Sequence, residues 1–239
     1  MASKVNKKPK KSVTKIRGPK VAKQEIFKGL AGVTVDTTSV SKVMPETNSL
    51  TYRGYAVQDL AANCKFEEVA YLLWHGELPS RSQLRKFEKV ERSRRNISRA
   101  HIDVIRQYPK RAHPMDTLRT SVSYLGTTET AWGGEPAERD RERAMNMLAK
   151  IPTMIATDYR FRRGLARKAP RADLSMSENF FYMCFGKVPP KEVIRAFDIS
   201  LILYAEHSFN ASTFTARVIT SSRSDIYSAV TGGVGSLKG

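Results

Sequence analysis

The sequence predicts an all-α fold: a multi-helical domain with a small extended element near its N-terminus. Three observations predict it. Apolar residues recur at helical spacing in most segments from Ala56 onward. Glycine and proline punctuate those segments at short intervals, so the helices are short, numerous and layered, not a simple bundle. β-forming valines before Asn48 mark the extended element.

Residues 1–28 carry ten Lys/Arg and one acid, Glu25, which is half of the net charge of +18. They read as a disordered, low-complexity basic tail. Binding of nucleic acid through phosphate contacts is the competing, less favoured reading. Gly29 to Asn48 reads as extended, on Val33, Val35, Val40 and Val43, with turn chemistry at Pro45 and Asn48. Leu50-Thr51-Tyr52-Arg53-Gly54-Tyr55 is a short extended piece and a turn. Arg53 there is read as a turn residue before it is read as an anion ligand.

Val57, Leu60 and Ala61 then share a helical face. A second helix runs from Phe66 to a break at Gly76-Glu77-Leu78-Pro79, and Ser80 caps a third. That third segment, Arg81 to Arg99, carries eight basic residues, including Arg92 and Arg95, and is expected to present an exposed basic face. His101–Tyr108 is a short helix. His113-Pro114 opens another, striped by Leu118, Val122 and Leu125. Thr127–Glu138 reads as a polar loop around Gly133-Gly134. Arg139–Arg163 is a long helical stretch, and Pro152 is where it would bend. A second basic run from Arg160 to Arg171 reads as solvated surface. Ala169–Ser177 is a loop, and Glu178–Phe185 a short apolar helix stopped by Gly186. The next helix has Ile194, Phe197, Leu201 and Tyr204 on one stripe. A helix rich in small residues, Asp225 to Ser236, follows, suited to close packing or to a ligand approaching its backbone.

Several function classes find no support. Cys64 and Cys184 make no disulfide framework and read as reduced core residues. The four histidines, His75, His101, His113 and His207, form no metal-ligand spacing, so no metal site is expected. Gly232-Gly233-Val234-Gly235 follows a helical stretch and opens no helix, unlike a phosphate loop. No apolar run approaches the roughly 18 residues of a membrane span, and no signal peptide is visible. A cytoplasmic location without a membrane partner is therefore expected. Among the histidines, His207 is the candidate: it falls where one helix stops and Asn210-Ala211-Ser212-Thr213 opens the next. It reads either as a cap on the last carbonyls or as a ligand for a dicarboxylate or ketoacid, its cationic form favoured by the helix dipole. Asn210 reads as an N-cap and His113 as a residue ordering its helix start. His75 and His101 read as surface or edge residues.

These segments together resemble the citrate synthase family over about residues 29–239. The resemblance rests on Gly29-Leu30-Ala31-Gly32-Val33, on Leu50 to Tyr55, on Phe66-Glu67-Glu68-Val69-Ala70, on His113-Pro114-Met115-Asp116 and on Ala205-Glu206-His207-Ser208-Phe209-Asn210. The last segment, with Ser224-Asp225-Ile226-Tyr227-Ser228-Ala229-Val230, is similar to the 2-methylcitrate branch, particularly that of actinobacteria. The resemblance implies condensation of an acyl-CoA, propionyl-CoA in that branch, with oxaloacetate. It assigns oxaloacetate binding to His207. It implies a homodimer and no permanently bound cofactor, with acyl-CoA as substrate, and it assigns no coenzyme-binding residue. The family's catalytic histidines and aspartate follow the motif matched at Gly235-Ser236-Leu237-Lys238-Gly239, so none falls within this chain. The expectation is the N-terminal part of the family's large domain, with the small coenzyme-binding domain largely absent and the chain as written inactive. Two other readings stay open: citrate synthase acting on acetyl-CoA, and a non-catalytic protein binding nucleic acid or a partner through its basic tail.

Overall fold

A computed structural model describes residues 36–129 and 135–238. The chain divides into two units, Met1–Thr37 and Thr38–Gly239. The predicted tail, the extended reading of residues 29–35 and the Gly133-Gly134 turn lie outside the described residues. Every helix and strand described belongs to the second unit.

That unit opens on a three-stranded antiparallel sheet, β1 (Ser41–Met44), β2 (Ser49–Tyr52) and β3 (Tyr55–Ala56), with Ser41 paired to Tyr52. Pro45–Thr47 forms a 3-10 turn that ends on Asn48 at φ 48°. Arg53 and Gly54 join β2 to β3 with φ of 50° and 91°. A tight two-residue hairpin needs positive φ at both positions, and glycine supplies one of them without steric cost. The Arg53 guanidinium donates back to Leu73 O at 2.9 Å, so this arginine locks the turn to a helix.

Ten α-helices follow among the described residues: α1 (Val57–Asn63), α2 (Phe66–His75), α3 (Arg81–Arg94), α4 (Arg99–Arg106), α5 (Pro114–Thr128), α6 (Pro136–Arg162), α7 (Met176–Phe185), α8 (Lys191–Tyr204), α9 (Ala211–Ser221) and α10 (Ile226–Gly235). The all-α expectation holds. Their boundaries follow from capping chemistry. Ser80 and Ser175 form capping boxes with Gln83 and Glu178. His113 accepts from Met115 N, as its helix-opening role requires. Gly76 and Gly186 end α2 and α7 in the left-handed region.

The spine is α6, about 40 Å long at 1.5 Å per residue. It touches α3, α4, α5, α7 and α10. It runs as one helix through Pro152. The main apolar cluster joins Ile97, Ile105, Val122, Leu125, Met147, Met154 and Tyr227, drawn from α4, α5, α6, α10 and the α3–α4 connection. A second cluster joins Tyr52, Val57, Leu60, Val69, Leu72 and Ile202, packing the sheet, α1 and α2 onto α8. At Gly126 of α5 an added Cβ would lie 2.9 Å from Tyr227 Cβ, so α10 approaches α5 too closely for a larger residue. The small-residue helix is thus a packing element.

The structure corrects several expectations. Arg95 is not on an exposed basic face: it is 1 % exposed and paired with Glu91, itself 1 % exposed. Arg160 is buried, donating to the carbonyls of Ala166 and Cys184. His101 is buried, not at an edge. Cys64 is half-buried at the end of α1 and not a core residue, whereas Cys184 is buried. The loop expected over Thr127–Glu138 is shorter, since α5 runs to Thr128 and α6 starts at Pro136. The loop ending at Ser177 stops earlier, because Ser175 already caps α7. On α8 the buried positions are Asp198 and Ile202, while Tyr204 is 83 % exposed. The stripe misled there by one position: Asp198 and Ile202, each one residue after Phe197 and Leu201, hold the inner face. None of the described helices is long and apolar enough to cross a membrane.

Candidate functional site

The segment that follows α8 is shaped by the sheet. Tyr52, fully buried on β2, donates its hydroxyl to Ile202 O at 2.9 Å and accepts from Glu206 N at 3.3 Å. One side chain thereby joins Ala205 N at the Ile202 carbonyl and gives Glu206 N its acceptor. Ser41 on β1 donates to Glu206 Oε1 at 3.1 Å, and the same oxygen accepts from Ser208 N. Ser208 takes φ 76°, unusual for a residue with a side chain. The chain then turns into α9 at Asn210.

His207 sits in this turn, past the end of α8, and is exposed. Asn210 caps α9: its Oδ1 accepts from Thr213 N at 2.8 Å and from Ser212 Oγ at 2.6 Å. Those two bonds fix which end of the amide is oxygen. Its Nδ2 therefore faces His207 Nε2, 3.1 Å away, and donates to it. In the neutral ring this leaves the proton on Nδ1, which is a donor without a partner among the described residues. The N-terminus of α9 opens beside it, and such helix ends favour anions. The turn therefore offers an oriented N–H donor and a favourable helix dipole, a combination suited to a carboxylate or a keto oxygen.

The structure brings His207 and Asn210 together and keeps the other histidines apart. His113 caps α5. His75 stacks on Tyr71, ring centroids 4.0 Å apart. His101 lies inside α4's packing face. No cluster of three or more metal-ligating side chains occurs among the described residues. Cys184 offers no nucleophile, because burial pushes its thiol up to about 11. Sequence reasoning missed Tyr52, Ser41 and Glu206, the residues that hold the turn. The only signal was Glu206 beside His207 and a tyrosine in a strand otherwise read as a simple turn.

The family model for citrate synthase, C-terminal domain, matches residues 29–239. A 2-methylcitrate synthase of Mycobacterium tuberculosis is 55% identical over 215 residues, which is 90% of this chain and 54% of that protein. A citrate synthase of Mycolicibacterium smegmatis is 56% identical over 214 residues, 90% of this chain and 57% of that protein. Among solved structures, the Thermoplasma acidophilum citrate synthase, a ternary complex with carboxymethyl coenzyme A and oxaloacetate, superposes with a TM-score of 0.85. Its identity is 31%, over 90% of this chain and 56% of that one. The chain thus spans just over half the length of the relatives it matches. From the family match over residues 29–239 and these likenesses, the chain belongs to the citrate synthase family.

Proposed function

We propose that this chain carries the oxaloacetate-binding part of an acyl-CoA condensing enzyme, and that His207 is the ligand for oxaloacetate. In that reaction a base takes a proton from the carbon beside the acyl-CoA thioester, the resulting enol attacks the keto carbon of oxaloacetate, and water then hydrolyses the thioester to release coenzyme A. The observation that carries the reading is the His207–Asn210 pair, which leaves one oriented N–H donor on an exposed turn. The family relationship supplies the substrate class. Residues 29–239 are then the N-terminal part of the large domain, in a cytoplasmic enzyme that works as a homodimer and holds no permanent cofactor. The family's enolising base is expected outside residues 1–239, and we expect no turnover from them by themselves.

Propionyl-CoA is the favoured acyl donor, because relatives at 52% to 55% identity include several named 2-methylcitrate synthase. Acetyl-CoA is the second reading, supported by the Mycolicibacterium smegmatis relative named citrate synthase.

The test is an oxaloacetate titration of the folded chain followed by the ring nitrogens of His207. Saturable shifts at His207, lost in His207→Ala, support the assignment. A folded chain whose His207 signals do not move, or a His207→Ala variant that binds equally well, overturns it. Thiol release from propionyl-CoA and acetyl-CoA, with and without oxaloacetate, is measured in parallel. Oxaloacetate-dependent release would overturn the expected inactivity, and the faster donor would identify the acyl preference.

A further inference from the structure

A second polar cluster lies where α4, α5, α6 and α10 meet. Glu129, just past the end of α5, is its centre. One carboxylate oxygen accepts from Lys150 Nζ on α6. The other accepts from Tyr227 OH on α10 and from Asn146 Nδ2 at 2.8 Å. The Tyr227 ring belongs to the main apolar cluster, so this one residue anchors α10 both by packing and by a charge-assisted hydrogen bond.

His101 lies beside this cluster on α4, 1 % exposed, with its ring edge-on to Tyr124 of α5 at 4.9 Å between centroids. Its Nε2 is buried and has no hydrogen-bond partner among the described residues. A neutral imidazole there leaves one polar atom unsatisfied. An imidazolium would bury a whole charge next to the Lys150 ammonium, which is far more costly. The charged and titratable groups facing it are Lys150 on α6, Glu129 after α5 and Tyr124 on α5. Tyr227 in turn faces Arg143 on α6 and Asp225 at the start of α10.

We propose that His101, Glu129, Lys150 and Tyr227 form an acid-sensitive latch that holds α10 against α5 and α6.

Burial, reinforced by Lys150, pushes His101 down from 6.5 to about 4. Burial works to raise Glu129, but the hydrogen bonds from Lys150, Tyr227 and Asn146 outweigh it and hold the carboxyl below its ordinary value. Both shifts act in one direction. The histidine contribution is complete above about pH 6.5 and is lost as pH falls toward 4, because the opened state takes up the proton first. The Glu129 contribution is present above its ordinary value of 4.5 and is lost as pH falls through the lowered folded value, as its carboxylate protonates.

The test is amide hydrogen exchange of the full 239-residue chain between pH 7.5 and 5, corrected for intrinsic rates. The α10 amides are compared with those of α2, which the latch does not touch. Opening of α10 is expected to rise on the order of tenfold or more across this range in the parent chain. It is expected to stay flat in His101→Leu and His101→Gln; if one variant does not fold, the other carries the comparison. Tyr227→Phe is expected to lower α10 protection at every pH. The proposal is overturned if both His101 variants keep the parent's pH slope, if Tyr227→Phe keeps its α10 protection, or if α10 and α2 open in parallel.

Discussion

Helix α8 meets two polar networks, one at its middle and one just beyond its end. At the middle, Asp198 is buried and fully used: Oδ1 accepts from Ser177 Oγ at 2.9 Å and Oδ2 from Phe66 N at 3.1 Å. Close by, Glu67 accepts from Met176 N at 2.9 Å, and Arg95 grips Glu91 with both arms while donating to Arg171 O and Leu174 O. This network ties α2, α3, α7 and α8 together, and its side chains are buried. Beyond the helix end, Glu206, Ser208, His207 and Asn210 form a short chain of hydrogen bonds that water does reach. The contrast separates two uses of polar residues. The inner network spends its hydrogen bonds on the fold. The outer one is held by the sheet yet leaves a ring N–H of His207 without a partner among the described residues.

The sharpest test of that contrast is Arg95→Met. It strands Glu91 without its partner, and breaking one side of a buried pair costs about 3–5 kcal/mol. Urea denaturation of the parent and the variant measures it. The double change Glu91→Met with Arg95→Met should recover the part of the loss that comes from the unpaired charge, while the Arg171 and Leu174 carbonyls still lack their donor. A loss under about 1 kcal/mol for Arg95→Met would mean that the inner network contributes little to the fold. The exposed turn would then no longer differ from it in kind.

Asp198 offers a smaller and pH-dependent test. Burial raises its pKa despite the hydrogen bonds from Ser177 and Phe66, and Glu67 adds to the rise. A raised carboxyl favours the folded state while protonated, so its contribution is present at low pH and is lost as pH rises through the folded pKa. Asp198→Asn stays neutral throughout. Its amide can still accept from Phe66 N and donate to the Ser177 hydroxyl, so the cost is about 1 kcal/mol near pH 4. At pH 7.5 the cost should shrink or change sign. A penalty that grows with pH would show that Asp198 works as a charge, against the burial argument. This slope is opposite to that of the His101 latch, so the two are separable by varying pH alone.

How far the sequence announces these networks depends on their chemistry. Helix limits were legible because capping is local: Ser80, His113, Asn210 and Gly186 act within a few residues of where they stand. His207 and Asn210 were legible for the same reason, being three residues apart. The inner network was not. Arg95 sits in a run of basic residues, and nothing local distinguishes it from Arg92 or Arg94, which keep some exposure. Only the arrival of the Arg171–Leu174 segment, more than 70 residues later, turns it inward. The support of the turn by Ser41 and Tyr52 spans 165 and 154 residues, and no periodicity reports a contact at that range.

The smallest expected effect on stability is the one that probes the outer network most directly. Asn210→Asp keeps the oxygen that caps α9, so the change in stability should stay within about 0.5 kcal/mol, helped by an acid at a helix N-terminus. The atom facing His207 Nε2, however, changes from a donor to an acceptor. To keep that bond, the imidazole must carry its proton on Nε2, which in the neutral ring strips Nδ1 of its hydrogen. Nitrogen chemical shifts of His207 at high pH report the tautomer directly. The expected result is an inverted tautomer, a melting temperature close to the parent's, and weakened oxaloacetate binding. An inverted tautomer with binding unchanged would break the link between the Nδ1 donor and the ligand, leaving His207 as a turn residue of the same structural kind as Tyr52. Weakened binding at constant stability would show that this turn, unlike the network around Asp198, is built around a group the fold does not need.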